Sequence, residues 1–286
     1  MKVLIVGMGF GNLYKAVHTE LGHEIVTVDT NGTADYLYVG DAAKDGPYDM
    51  AHICTPNYTH ELVARVIAPF CKIVVVEKPG VENALSWSRL VKDHPKTRFM
   101  MSKNNMWRDN IAEMHDAAAD SGFVRLHWIN KDRVPNPGSW FTTKSLAYGG
   151  ISRDLMPHLL SLYIALNPNW ISDTVVESDY EQRWTLDDMT NTDYGKIAVD
   201  GEYDVDDYAT VSFGDKWLLL ADWRDTERDR RTIECDAKTF ELGLCPESAY
   251  KAMIVDAINN QDNDAFWATQ YSQDIWIHTI IDTLWK

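Results

Sequence analysis

Between positions 1 and 103, short apolar runs alternate with segments in which apolar residues recur every three or four places. Val3–Val6, Glu24–Val28, Met50–Ile53, Ile73–Val76 and Arg98–Met101 read as strands. Leu13–Leu21, Glu61–Ala68 and Ala84–Lys92 read as helices. The run Ile73-Val74-Val75-Val76 is apolar and β-branched throughout, the pattern of a strand buried on both faces of a parallel sheet. Pro79 cannot continue a ladder, so the chain must leave the sheet there. Glu77 and Lys78 then fall at a strand's carboxyl end, where open α/β sheets bind their ligands. Strand and helix in strict turn predict a doubly wound α/β (Rossmann) domain with a parallel sheet over residues 1–103. One crossover is abbreviated: Thr30–Asp35 is too brief for a helical connection of about a dozen residues. Only Tyr36–Val39 offers a further strand before Met50.

After Met101 the pattern changes. A helix is predicted over 109–119, a strand over 123–129, a loop over 140–148, and an apolar helix running to Leu166. Asp187–Asp207, rich in acids, Thr, Tyr and Gly, reads as a solvated connection. Asp207–Phe213 and Trp217–Trp223 flank the turn Gly214-Asp215 as an antiparallel hairpin, and Thr232–Cys235 with Thr239–Leu242 suggest another. Helices over 247–259 and 264–284 close the chain. Strands gathered after an α/β half predict an α+β second domain, residues 104–286, with an open, mainly antiparallel sheet.

The first strand runs into Gly7-Met8-Gly9-Phe10-Gly11-Asn12 and then a helix, the context that gives a glycine-rich turn its meaning. Gly7 permits the tight turn, and Gly9 lets backbone approach a pyrophosphate at the helix N-terminus. The third glycine position is held by Asn12, with Gly11 one place earlier, so the pattern is slightly degenerate. Asp29 ends the second strand 22 residues after Gly7, close to the spacing of an acid that binds adenosine ribose hydroxyls. It repels a 2′-phosphate and no Arg follows it, so NAD is favoured over NADP. Thr55, Pro56 and Asn57 open the next strand–loop–helix unit at the same sheet edge and should face the cofactor. His60, at that helix's start, reads as a local hydrogen-bonding residue beside them. Lys78 is either chemistry or a phosphate contact. The glycine turn already supplies a pyrophosphate site, which favours chemistry.

Taken in order, Gly7-x-Gly9, Cys54-Thr55-Pro56-Asn57-x-x-His60 and Val76-Glu77-Lys78-Pro79 resemble the Gfo/Idh/MocA family. These are NAD(P)-dependent oxidoreductases of sugars, cyclitols and related alcohols, among them glucose-fructose oxidoreductase and inositol dehydrogenase. Gly149-Gly150-x-x-x-Asp154-Leu155-x-Pro157-His158 resembles the family's second-domain motif. Asp154 and His158, four apart, would share one face at a helix N-terminus, where Pro157 costs little. The resemblance implies that Lys78, Asp154 and His158 form a catalytic trio. Lys78 would stabilise a developing alkoxide, and His158 would take the hydroxyl proton while hydride leaves for the nicotinamide. Asp154 would hold the pair, and Glu77 and Lys78 would also lie beside the cofactor. Ser161 stands where the family often has an acid. Arg108 matches loosely an arginine region of the family and is a substrate-side candidate, as is Trp140 in the specificity loop 136–148. The resemblance also implies a homo-oligomer, dimer or tetramer, assembled through the second domain's sheet; its Trp-rich strands would serve that purpose or form core.

Composition narrows the remaining choices. The 286 residues are 45% hydrophobic and 24% charged, as in ordinary globular proteins, with a formal net charge of −16. That charge argues against nucleic acid or an anionic membrane surface as a partner and leaves a small-molecule substrate. No apolar run approaches the ~20 residues that span a bilayer, and Met1–Gly7 is too short for a signal peptide's apolar core. A cytoplasmic protein is expected. Cys54, Cys71, Cys235 and Cys245 show no metal-ligand spacing and read as reduced thiols, so no metal is expected. Two further functions fit the same scaffold: a non-catalytic dinucleotide-sensing regulator, and a reductase of a non-sugar substrate. A regulator would have no reason to keep Lys78, Asp154 and His158 together, and such a reductase would not need His158 as a base.

Overall fold

The computed structural model describes residues 1–189, 195–225 and 227–283. Two compact units are present: Met1–Asn104 with Pro246–His278, and Asn105–Cys245 with Thr279–Lys286.

In the first unit, β1 (Lys2–Val6), β2 (Glu24–Val28), β3 (Tyr48–Ile53), β4 (Cys71–Val76) and β5 (Arg98–Met101) form one parallel sheet. Its order is β2-β1-β3-β4-β5. Helices α1 (Met8–Glu20), α2 (Val39–Lys44), α3 (His60–Ile67) and α4 (Ala84–Asp93) connect the strands. The runs Val3–Val6 and Ile73–Val76 are buried, as unbroken apolar strands covered on both faces must be. The expected strand at Tyr36–Val39 shrinks to a lone bridge between Val28 and Tyr36, and Val39 instead begins α2. The Asp35 carboxylate explains this: it accepts from both the amide and hydroxyl of Thr27, stapling the short loop to β2.

In the second unit, α5 (Ile111–Ala119), α6 (Lys144–Ala147), α7 (Ile151–Asp154) and α8 (Met156–Leu166) accompany six strands. These are β6 (Val124–Lys131), β7 (Val175–Glu181), β8 (Tyr208–Phe213), β9 (Trp217–Asp225), β10 (Arg230–Glu234) and β11 (Thr239–Glu241). Their order is β11-β10-β6-β9-β8-β7, antiparallel at every pairing except β6 with β9. β7 escaped the sequence reading because this edge strand is mostly exposed and carries no apolar alternation. On β9 the alternate residues Trp217, Leu219, Ala221 and Trp223 are buried, so these tryptophans form core.

Two sequence expectations change. The segment 187–207 is not simply a solvated connection: Tyr203, Val205, Asp206 and Asp207 are buried, while its residues 190–194 lie outside the described residues. Pro246–His278, read as part of the second domain, belongs with the first unit. There α9 (Glu247–Asn259) sets Tyr250 5.8 Å from the Tyr14 ring, and α10 (Asp264–Thr283) sets His278 5.6 Å from Trp87. Asp274 of α10 is ion-paired with Lys103 beyond β5, both side chains fully buried, and also accepts from the Met101 amide at 3.1 Å. Removing one partner of such a pair costs about 3–5 kcal/mol. These contacts link positions some 170 residues apart in the chain, which periodicity cannot register. The expected end of the last helix, Leu284, lies outside the described residues. Among the described residues no helix is long and apolar enough to cross a membrane.

Candidate active site

The carboxyl edge of the parallel sheet is built largely from backbone. Gly7 joins β1 to α1 at φ +92°, and a Cβ there would lie 2.6 Å from the Cys54 carbonyl oxygen. Helix α1 starts immediately afterwards, at Met8 rather than Leu13. Gly11 allows the helix to lie against β1, since a Cβ would meet Ile5 Cγ2 at 2.8 Å. It therefore fills the close-packing role that spacing alone assigned to Asn12, whose side-chain amide bonds back to the Met8 carbonyl. Gly9 has nothing within 4 Å of where a Cβ would stand. Gly9, Phe10 and Asn12 are exposed on the first turn, where helix amides lack intrahelical partners. An open glycine on a helix N-terminus suits a pyrophosphate.

Asp29 closes β2 with its carboxylate turned to this turn. Oδ2 accepts from the Met8 amide at 2.6 Å and Oδ1 from the Asn31 amide at 3.0 Å. An acid fixed there suits ribose hydroxyls and opposes a 2′-phosphate. Thr55, Pro56 and Asn57 follow β3, half-buried, with Thr59 Oγ1 2.6 Å from Thr55 Oγ1. His60 is buried and is the local hydrogen-bonding residue expected at that helix start. Its Nδ1 lies 2.8 Å from the Gly80 oxygen and its Nε2 2.7 Å from the Thr55 oxygen, tying the loops after β3 and β4 together.

Lys78 stands half-buried just past β4. Glu77 is turned inward: Tyr14 donates to its Oε1 at 2.5 Å, and the Lys78 amide donates to its Oε2 at 3.2 Å. Tyr14 is also 2.9 Å from Ser102 Oγ. Burial pushes the Glu77 carboxyl and the Tyr14 phenol above their ordinary ranges. Glu77 thus holds the lysine's backbone in place. From α10, His278 Nε2 accepts the Val81 amide at 3.4 Å while its Nδ1 donates to the Asp274 carbonyl. Tyr14, Ser102 and His278 escaped the sequence reading because none lies in a motif.

The second unit's candidates are held by side-chain networks. Gly150 must be glycine, because a Cβ would collide with the Asp206 carbonyl oxygen at 1.8 Å. Asp206 caps α7, its carboxylate accepting from the Gly150 amide at 2.8 Å and the Ser152 amide at 2.7 Å. Asp154 ends α7, and His158 lies in the first turn of α8, so the single helix expected for both is two. The break falls at Leu155, two residues ahead of Pro157, which has no N–H to donate to the preceding turn. Asp154 Oδ2 accepts from the Trp223 indole at 2.9 Å. His158 stacks on Trp128 with ring centroids 5.1 Å apart, and its Nδ1 is 3.1 Å from Asn105 Nδ2. Arg108 is only 5% exposed and donates to Asn105 Oδ1 at 2.8 Å and the Leu242 carbonyl at 2.6 Å. That arrangement supports a positioning role for Arg108 over substrate contact. Trp140 lies half-buried in the turn Trp140–Thr142, its ring 4.9 Å from Phe141. Each candidate therefore has a local support, Lys78 in one unit and Asp154 and His158 in the other.

No family model matches the chain. A protein assigned as the oxidoreductase subunit of a UDP-kanosamine synthase, from Amycolatopsis mediterranei (strain S699), is 30% identical over 125 residues, 42% of this chain. The match spans only 35% of that relative's length. Among solved structures, GenD2 from gentamicin A biosynthesis, in complex with NAD, aligns at TM-score 0.75 and 18% identity. The alignment covers 100% of this chain and 93% of GenD2. Levoglucosan dehydrogenase with NADH and levoglucosan aligns at 0.73 and 14%, over 99% of this chain and 96% of that one. The WlbA dehydrogenase of Thermus thermophilus, with NAD and α-ketoglutarate, aligns at 0.72 and 13%, over 99% and 95%. The chain has the two-part fold of Gfo/Idh/MocA-type NAD-binding dehydrogenases, as its motifs led one to expect.

Proposed function

We propose that this protein is an NAD-dependent oxidoreductase that interconverts a secondary alcohol and a ketone on a sugar- or cyclitol-like substrate. The observation that carries this reading is the edge where Gly9 stands open at the N-terminus of α1 beside the fixed carboxylate of Asp29. Gly9, Phe10 and Asn12 would face the pyrophosphate on the turn that Gly7 and Gly11 permit, Asp29 would hold the adenosine ribose, and Thr55–Asn57 the nicotinamide half. When bound, NAD supplies a hydride acceptor at the nicotinamide. The names of the similar proteins support the sugar-like substrate class.

The chain's own residues act on the substrate oxygen. Lys78 offers an ammonium that stabilises negative charge as it develops there. His158 offers an imidazole nitrogen to the same oxygen, its ring plane set by Trp128. Asp154, held by Trp223, supplies the balancing carboxylate. The test is a panel of sugars and cyclitols assayed for NAD reduction and, in reverse, for NADH oxidation. Lys78→Met and His158→Ala should each cut turnover by ~10²-fold or more while NADH affinity stays within about twofold. Unchanged turnover in both variants would overturn these roles.

A further inference from the structure

We infer that Asn105, oriented by Arg108, locks His158 as the tautomer with its proton on Nε2, making it a hydrogen-bond donor to the substrate oxygen and not the base. The inference rests on the proposed function only for the identity of the partner oxygen. The tautomer itself follows from the second unit.

The geometry leaves one consistent assignment. An amide has a distinct donor end and acceptor end. Arg108 Nε can only donate, and it meets Asn105 Oδ1 at 2.8 Å in a buried position. The amide's NH₂ must therefore face His158 Nδ1, 3.1 Å away. A nitrogen that accepts from an amide carries no proton of its own, so in neutral His158 the proton is on Nε2. Gaining a second proton at Nδ1 would set two N–H groups head to head. Turning the amide to relieve this would point its NH₂ at the guanidinium.

The charges around the ring act mainly in the same direction. His158 is the third residue of the eleven-residue helix α8, whose N-terminal end disfavours added positive charge. Arg108 stands behind Asn105, and the Arg231 guanidinium lies 5.4 Å from the centroid of Trp128, the ring on which His158 stacks. Asp154 is the opposing anion, and its Oδ2 already accepts the Trp223 indole N–H. With His158 fixed as a donor, the hydroxyl proton passes to water in the oxidative direction: the substrate O–H bond breaks as a water molecule takes the proton. His158 neither gains nor loses a proton, and Asn105 and Arg108 are positioning residues.

Long-range proton–nitrogen NMR of the full chain carrying nitrogen-15 histidine tests this without substrate, with His158→Gln identifying the resonances. The expected result is a protonated Nε2, a bare Nδ1, and no titration of this ring between about pH 5.5 and 8. A proton on Nδ1, or a midpoint near that of free histidine, would overturn the inference. Asn105→Asp places an acceptor opposite Nδ1. It should move the proton to Nδ1 or bring a titration into the observed range, with a matching new inflection in the pH profile of turnover. A variant that keeps the wild-type spectrum and profile would also overturn the inference. Because the spectra need no catalysis, failure to find a substrate would count against the proposed function alone, and a wrong tautomer in an active enzyme against this inference alone.

Discussion

The parallel-sheet edge and the α7–α8 region both carry candidate chemistry, yet they are made of different material. At the first, the groups facing a ligand are mainly backbone: a glycine turn, helix amides and strand ends. Side chains such as Tyr14, His60 and His278 sit behind them as props. At the second, the working groups are side chains, and each is aimed by another side chain: Asp154 by Trp223, His158 by Asn105 and Arg108. A backbone-built site depends on which residues can adopt a local conformation. A side-chain-built site depends on partners arriving from elsewhere in the fold, and it sets protonation as well as position.

This contrast can be broken or sharpened by substitution. The largest effect should come from two glycines two places apart. Gly7→Ala forces a Cβ to 2.6 Å from the Cys54 oxygen at φ +92°, and should lower unfolding free energy by more than about 2 kcal/mol. Gly9→Ala meets nothing within 4 Å. It should leave stability within about 1 kcal/mol while weakening NADH at least ~10-fold. Urea unfolding with a fluorescence titration measures both, and equal destabilisation by the two would refute the division of roles.

A smaller effect concerns the buried acids behind the second region. Burial holds the Asp207 carboxyl up at about 6 against an ordinary 3.8, although it accepts from the Arg183 and Trp184 amides and the Tyr203 hydroxyl. The folded chain thus keeps this proton to a higher pH than the unfolded chain does. The contribution is fully present below pH 3.8 and is lost as pH rises through about 6. In Asp207→Asn that loss should vanish, so going from about pH 4 to 7 costs the variant some 2 kcal/mol less than the wild type. Parallel slopes of stability against pH in the two proteins would contradict it.

The smallest effect tests Asp29, a side chain bonded directly to the glycine turn. Asp29→Ala removes the acceptor of the Met8 amide, worth about 1 kcal/mol, and the repulsion toward a 2′-phosphate. NAD affinity should fall severalfold while NADP affinity holds or rises. An unchanged ratio of the two would mean that Asp29 serves only the turn.

The parts legible in the chain follow that same division. The apolar run Ile73–Val76 and its ending at Pro79 marked β4 and placed Lys78, because burial on two faces and a missing amide are local properties. The doubly wound first unit, the glycine turn and the hairpin of β8 and β9 were readable for the same reason. Two errors were local as well: α1 starts earlier than its apolar periodicity, and the third glycine role belongs to Gly11, since it is decided by contact with Ile5.

Taken by itself, the sequence determined the class of both units and the residue types available for chemistry, and it placed an acid, Asp29, at the end of β2 where it would oppose a 2′-phosphate. Only the tertiary structure decided that α9 and most of α10 return to the first unit, that Arg108 is buried, and that His158 receives a proton donor at Nδ1. The reason is distance along the chain. Backbone conformation is set by neighbours a few residues away, whereas Asn105 lies 53 residues from His158 and Trp223 lies 69 from Asp154. No periodicity in the sequence records a partner so remote, yet that partner fixes which nitrogen holds the proton.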